Sequence, residues 1–93
     1  MMYGMENTQS FERIIIMMAE AMLDESGQKH APFGRAVFGE SNGARLWRMT
    51  RGDLKERRLS VNEAKSMADY FEMDFPTFIW KAHQWGRDKG LIS

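Results

Sequence analysis

Cysteine is absent from this 93-residue sequence, and proline occurs only twice. Without cysteine the chain can form neither disulfide bonds nor thiolate metal sites, so both classes are excluded. Net charge is also absent, because 13 basic side chains balance 13 acidic ones. The overall charge therefore gives no reason to expect a nucleic-acid ligand and counts against that function.

Long apolar runs are missing as well. The run IIIMM at residues 14–18 is far shorter than the roughly 20 residues that a membrane-spanning helix needs. The first ten residues lack the apolar core of a signal peptide. We therefore expect a cytoplasmic protein, and the length and the 43% apolar composition predict a single domain over residues 1–93.

Apolar side chains recur at helical spacing in five segments, which predicts an all-α protein without strands. The predicted helices span approximately residues 9–26, 31–38, 42–51, 59–71 and 75–85. Ser60 and Glu63 have the spacing of a capping box, and Gly86 is predicted to end the last helix. Residues 1–8 and 87–93 are expected to be flexible tails.

Basic side chains are concentrated in one segment. Residues 43–58 contain six Lys or Arg and two acidic residues, a local balance of +4 that the rest of the chain cancels. Such a polarised distribution can orient a protein on a polyanion. The same charge run is also compatible with a solvated surface that binds nothing.

The segment ESNGARLWRMTRG places three arginines at intervals of three residues. On a helix, Arg45, Arg48 and Arg51 are predicted to face outward, with the small Ala44 among them. Leu46 and Met49 are predicted to anchor the other side in the core. This helix therefore combines an anchoring side with a cationic side.

Two short helices, 31–38 and 42–51, joined by a glycine-containing turn have the arrangement of a helix-turn-helix motif. A long helix precedes the pair, and a basic loop and two helices follow it. The sequence thereby resembles the lambda-repressor-like or Cro-like DNA-binding domains of phage and bacterial repressors. The resemblance covers roughly residues 11–83 and is most specific in NGARLWRMTRG and LSVNEAKSMADYFEMDFPTFI. It implies a five-helix lambda-repressor-like helix-turn-helix domain.

The sequence departs from the family pattern at four places. Phe33 and Gly34 stand where the family usually has Leu-Ala, and the turn FGES and the loop 52–59 are longer than usual. Trp47 occupies a position that is normally small or polar. Two placements are open for this indole: beneath the neighbouring helix, or against the sugar-phosphate backbone of bound DNA.

The resemblance implies that helix 42–51 enters the major groove, with Gly43, Ala44, Arg45 and Arg48 at the groove-facing positions. Arginine can donate two hydrogen bonds to guanine, whereas contacts with phosphates position a protein without reading sequence. The predicted DNA-binding residues are Asn42, Gly43, Ala44, Arg45, Arg48, Arg51, Lys55, Arg57 and Arg58. The alternative is that the arginines pair with Asp53 or Glu56.

No motif indicates an enzyme, a cofactor or a metal site. His30 and His83 are distant in sequence, and neither has a carboxylate at a suitable helical spacing. Trp80 lies off the apolar side of the last helix, so Trp80 and Trp85 are candidates for a homodimer interface. The alternative is a partly shielded surface tryptophan.

We therefore expect a transcriptional regulator, a repressor of phage type, that binds double-stranded DNA as a homodimer. Two alternatives stay open. The chain is an antitoxin-like regulator that also binds a partner protein, or a helix-turn-helix domain that serves only in protein association.

Overall fold

The computed structural model describes residues 9–52 and 57–92. In these ranges the chain forms five α-helices and no strand, which confirms the all-α prediction. The helices are α1 (Phe11–Glu25), α2 (His30–Phe38), α3 (Gly43–Arg51), α4 (Val61–Tyr70) and α5 (Phe75–Asp88). None of them is long and apolar enough to cross a membrane.

Local hydrogen bonds explain where the helices begin. The hydroxyl of Ser10 accepts the N–H of Arg13 at the start of α1. Ser60 and Glu63 form the predicted capping box, in which each side chain accepts the backbone N–H of the other residue. A helix-capping side chain of this kind typically contributes about 1 kcal/mol. Asn42 stands at the N-cap of α3, but its side chain makes no capping hydrogen bond.

The predicted stop at Gly86 is wrong, because α5 continues to Asp88. Gly86 is buried where α5 passes α1: a Cβ at this position would lie 3.0 Å from Ile14 Cγ2 and 2.8 Å from Ile92 Cδ1. A glycine is therefore needed at position 86 for close packing against Ile14 and Ile92, and not to end the helix. The segment predicted as a C-terminal tail is tied to the fold over residues 87–92, since Leu91 O accepts the N–H of Gln9 at 3.2 Å. Residues 1–8 lie outside the described ranges.

The first helix is central to the packing. It packs against both α3 and α5, while α2 packs against α3 and α4. Ile14, Ile15 and Ile16 are all buried although consecutive residues point about 100° apart on a helix, so α1 buries a wide face. The hydrophobic core, to which all five helices contribute, consists of Ile15, Ile16, Met18, Ala19, Leu23, Phe33, Val37, Trp47, Met67, Ala68, Phe78 and Ala82.

Two glycines allow α2 and α3 to approach closely. A Cβ on Gly34 would lie 2.7 Å from the carbonyl oxygen of Gly43. A Cβ on Gly43 would collide with the carbonyl group of Gly34 and would lie 2.5 Å from Arg35 Cα. These neighbours are backbone atoms, so they cannot rotate away as a side chain would. The glycine pair therefore determines the distance between the two helices.

We expect Gly43→Ala to destabilise the protein by a net of about 2 kcal/mol, because the methyl group forces the two backbones apart at a cost of about 3 kcal/mol. The better helix propensity of alanine offsets only about 1 kcal/mol of this cost. In a domain of this size the net loss lowers Tm by roughly 10 °C. Thermal unfolding followed by circular dichroism measures the change.

Arg45→Ala is the matched control, since Arg45 is exposed on the same helix. Its free energy of unfolding should stay within about 0.5 kcal/mol of the parent. If Gly43→Ala unfolded at the temperature of this control, the glycine contact would have no structural role.

Candidate nucleic-acid interface

The buried side of α3 consists of Gly43, Trp47 and Thr50. Leu46 and Met49 are only half-buried, so the prediction that they anchor the helix is wrong. The physical reason is the close approach to α2, which requires Gly43, and Trp47 one turn later, to face that helix. Turning α3 in this way brings Met49 towards the solvent side.

Trp47 is packed beneath α2, which decides between the two placements left open by the sequence. Its side chain is 1% exposed, and its ring lies edge-on to Phe33 with 4.9 Å between centroids. The ring also stacks on Phe38 at 5.9 Å. The indole is therefore an internal anchor of α3 and is covered from the solvent.

A hydrogen-bonded chain ties this indole to the end of α1. Trp47 Nε1 donates to His30 Nδ1 at 3.0 Å, and His30 Nε2 lies 2.8 Å from Asp24 Oδ1. Because an indole N–H can only donate, His30 Nδ1 must accept, and the proton of the neutral ring sits on Nε2. His30 thus has a structural role, and no group of three metal-binding side chains occurs in the described ranges.

Arg13 holds the other end of α3. Its guanidinium donates to the carbonyl oxygens of Thr50 at 3.0 Å and of Gly52 at 3.1 Å. Carbonyls at a helix C-terminus have no partners within the helix, and a cation there also interacts favourably with the helix dipole. Sequence reasoning missed this contact because Arg13 and Thr50 lie far apart in the chain.

Arg45 and Arg48 are both exposed, as predicted. Within residues 9–52 and 57–92 neither forms an ion pair. A pairing with Asp53 or Glu56 concerns residues outside those ranges. Two guanidinium groups about one helical turn apart therefore project from the side of α3 that faces away from α2.

Arg51 does not belong to this outward set. It lies on the flank of α3 that faces α1, where Arg51 Nη1 approaches Glu20 Oε2 at 3.4 Å. Its guanidinium carbon is 5.8 Å from the centroid of the Trp47 ring. The prediction of an outward Arg51 is wrong because burial of Trp47 and Thr50 turns the following residue towards α1.

The three cations after α3 have different surroundings. Arg57 donates to both carboxylate oxygens of Glu63, at 2.9 and 2.5 Å, and lies over the ring of Phe38. Arg58 pairs with Glu12 at 2.9 Å, yet its side chain is 88% exposed. Lys55 lies outside the described residues. Arg57 is therefore part of the fold, whereas Arg58 is available to solvent.

The remaining predicted residues are Asn42, Gly43 and Ala44, and they differ in their exposure to solvent. Asn42 is exposed, Ala44 is half-buried and Gly43 is buried against α2. Gly43 therefore allows α2 and α3 to pack closely. The sequence predicted that Gly43 faces a ligand, but in the structure it faces α2. Asn42 is the exposed N-cap residue directly before α3, about one turn from Arg45. We call Asn42, Arg45, Arg48 and Met49 the outer face of α3.

The ion pair between Arg57 and Glu63 changes the pKa of the Glu63 carboxyl group. Hydrogen bonds from the Arg57 guanidinium lower the pKa of Glu63 below its ordinary value, with burial acting in the opposite direction. The backbone N–H of Ser60 adds to the lowering. Since Arg57 Nη1 also lies 3.5 Å from Thr50 Oγ1, the pair connects the start of α4 to the end of α3.

No protein-family model, curated protein or solved structure matches this chain. The geometry of α3 and its surroundings is therefore the basis for a functional proposal.

We expect Glu63→Gln to cost about 1 kcal/mol of stability at pH 7, because the half-buried guanidinium of Arg57 loses its carboxylate partner. A lowered pKa in the folded state means that the contribution is present above the ordinary value of 4.5. It is lost as the pH falls through the folded-state value. Urea unfolding measured from pH 7 down to pH 2 should show the two proteins converging in acid.

Glu40→Gln is the matched control, because Glu40 is exposed and forms no ion pair within the described part of the chain. It should leave stability unchanged at pH 7. A constant difference between Glu63→Gln and the parent over the whole pH range would contradict the role of the ion pair.

Proposed function

We propose that this protein binds double-stranded DNA sequence-specifically, with α2 and α3 acting as a lambda-repressor-like helix-turn-helix and the outer face of α3 in the major groove. The observation that carries the proposal is the pair Arg45 and Arg48. Both project from a short helix whose opposite side is buried, and neither has an ionic partner in residues 9–52 and 57–92. The major groove is wide enough to admit an α-helix.

The chemistry of the outer face suits base edges. An arginine can donate two hydrogen bonds to O6 and N7 of guanine, which discriminates against other bases by about 1–3 kcal/mol. Along the helix Arg45 and Arg48 are separated by about 4.5 Å, close to the roughly 3.4 Å rise between base pairs. They are therefore suited to guanines at neighbouring positions. Asn42 is suited to adenine, and the apolar Met49 to a thymine methyl group.

Rigid support of α3 favours specific recognition. The helix is held by the Gly34–Gly43 contact at one end, by the buried Trp47 in the middle and by Arg13 at its C-terminus. A reading side chain on a fixed helix loses less conformational freedom on binding than one on a mobile segment. This support makes base recognition a better explanation of the outer face than non-specific charge attraction.

Few of the described basic residues are available to contact DNA phosphates in this proposal. All three described arginines beside the outer face are paired with a glutamate, but Arg58 is 88% exposed, whereas Arg51 and Arg57 are only 31% and 26% exposed. Each neutralised phosphate steepens the dependence of log K on log salt by about 0.9. The proposed binding therefore has a moderate salt dependence.

The biological role that we propose is a cytoplasmic transcriptional repressor of phage type that acts as a homodimer. A symmetric dimer would present two copies of α3 to the two halves of a partly palindromic operator. The alternative of a purely protein-binding domain predicts that α3 has no role in DNA affinity. The alternative of an antitoxin-like regulator adds a partner protein to the DNA.

We expect the double variant Arg45→Ala with Arg48→Ala to lose DNA affinity by at least about 30-fold, because each arginine supplies about 1–3 kcal/mol of base contact. The measurement is fluorescence anisotropy with a duplex selected from a random pool by the parent protein. A salt series on the same duplex reports the number of phosphates neutralised.

Arg87→Ala is the control for loss of positive charge, since Arg87 is exposed in the last turn of α5 and away from α3. It should bind the selected duplex within about threefold of the parent, as expected for a distant surface charge. The DNA proposal fails if the parent binds no duplex at low salt, or if the double variant binds as the parent does.

Arg45→Lys separates sequence reading from charge. Lysine keeps the positive charge but lacks the planar, two-pronged donor of arginine. We expect the variant to keep its affinity for random duplex while its preference for the selected duplex falls by about tenfold. Competition between labelled selected duplex and unlabelled random duplex measures this ratio, and an unchanged ratio would assign Arg45 to phosphate binding.

A further inference from the structure

The segment that leads into α4 contains a serine preceded by two arginines. Residues 57–61 read RRLSV, and Ser60 is the N-cap residue of α4. Ser60 is exposed, and its hydroxyl oxygen accepts the backbone N–H of Glu63 at 3.1 Å. In the described part of the chain this hydroxyl donates no hydrogen bond, so its proton is accessible.

The backbone of this segment is extended up to the first turn of α4. Ser60 has a φ of −87° and a ψ of 162°. The side chain of Arg58 is 88% exposed, and Val61, directly after the serine, is 68% exposed. An extended segment can enter a binding groove with each side chain in its own pocket. The segment thus presents a cation, an accessible hydroxyl and an apolar side chain in sequence.

This arrangement suits a serine kinase that selects arginine before its target residue. Kinases distinguish substrates partly by charge pattern, and a kinase of this class has acidic side chains for the preceding cations. Arg57 and Arg58 are already paired with carboxylates, those of Glu63 and Glu12. Carboxylates of the kinase would take the place of these two partners, so both guanidinium groups stay paired in the complex.

A second serine with the same local structure shows what is special about Ser60. Ser10 is the exposed N-cap residue of α1, with a φ of −63° and a ψ of 153°, and its hydroxyl accepts the N–H of Arg13 at 3.1 Å. Residues 7–9, which precede it, are the uncharged NTQ. The two serines therefore share backbone conformation and capping hydrogen bond, and only Ser60 follows two cations.

We propose that Ser60 is a phosphorylation site for an arginine-selecting serine kinase, and that the phosphate weakens the binding of this protein to DNA. In the reaction the Ser60 oxygen forms a bond to the γ-phosphorus of a nucleoside triphosphate. The bond from that phosphorus to its bridging oxygen breaks, the nucleoside diphosphate leaves, and an aspartate of the kinase accepts the hydroxyl proton. The effect on DNA rests on the proposed function, whereas the phosphorylation itself does not.

A phosphate on Ser60 would act beside the C-terminal end of α3. Arg57 joins these two places, because its Nη1 lies 3.1 Å from the carbonyl oxygen of Arg58 and 3.5 Å from Thr50 Oγ1. A phosphoserine carries nearly two negative charges, and its oxygens are strong acceptors for a guanidinium. It would compete with DNA phosphates for Arg58 and would repel the DNA backbone.

The first test incubates the full chain with magnesium ATP and the catalytic subunit of cyclic-AMP-dependent kinase, which is an arginine-selecting serine kinase. Mass spectrometry of proteolytic peptides locates the phosphate. We expect phosphate on Ser60 and a rate at Ser10 that is at least about tenfold lower, because Ser10 lacks the charge complement. Ser60→Asn removes the hydroxyl but keeps a favourable N-cap residue, and no phosphate should appear at position 60.

Arg58→Ala tests the role of the preceding cations. We expect it to slow phosphorylation of Ser60 by at least about tenfold, because the kinase loses one ionic contact. Arg87→Ala is the matched control, since Arg87 is exposed on α5, outside this segment. Its rate should stay within about twofold of the parent. Circular dichroism establishes that each variant is folded.

The second test compares the phosphorylated and unmodified chains on the selected duplex by fluorescence anisotropy. We expect phosphorylation to raise the dissociation constant at least about tenfold at low salt, and the difference to shrink as salt screens the added charge. Ser60→Asn that has been treated with kinase and ATP should bind as the untreated variant does.

A chain that takes no phosphate at Ser60, or that is modified equally at Ser10 and Ser60, overturns the site. The same holds if Arg58→Ala is phosphorylated at the rate of the parent. A phosphorylated chain that binds the duplex as the unmodified chain does overturns the effect on DNA. If the unmodified chain binds no duplex, the proposed function fails, and the phosphate located by mass spectrometry still decides the site.

Discussion

The contact between Gly34 and Gly43 is the constraint on which the arrangement of α2 and α3 depends. With no side chain between the backbones, α3 has to present Gly43 to α2, and Trp47 and Thr50 follow on the same side. Arg45 and Arg48 are exposed as a consequence of this rotation. The direction in which the outer face of α3 points therefore depends on the absence of two β-carbons.

The neutral charge of the whole chain is less informative than the distribution of its carboxylates. Glu12, Glu20 and Glu63 each pair with an arginine of the basic segment or its flank, namely Arg58, Arg51 and Arg57 respectively. These pairs remove charge from the sides of α3 but not from its outer face. A protein of zero net charge can in this way retain a local cationic surface, and the field at that surface matters for a polyanion.

Sequence periodicity was sufficient for the five helices and for the capping box of Ser60 and Glu63, because these signals are local. It could not determine the rotation of α3. Two sets of residues on this nine-residue helix have the spacing of a buried side: Leu46 with Met49, and Gly43 with Trp47 and Thr50. Only the contacts with α2 determine which of the two sets is buried. The contacts of Arg13 and Arg51 could not be predicted from periodicity either, because their partners lie in distant parts of the chain.

The hydrogen bond from Trp47 to His30 joins three helices through side chains alone. His30 is the first residue of α2, Trp47 lies in the middle of α3, and Asp24 lies near the end of α1. A buried indole N–H that loses its acceptor costs about 1–3 kcal/mol. The imidazole of α2 is therefore a second point, besides the glycine contact, at which a substitution outside α3 would alter how α3 packs.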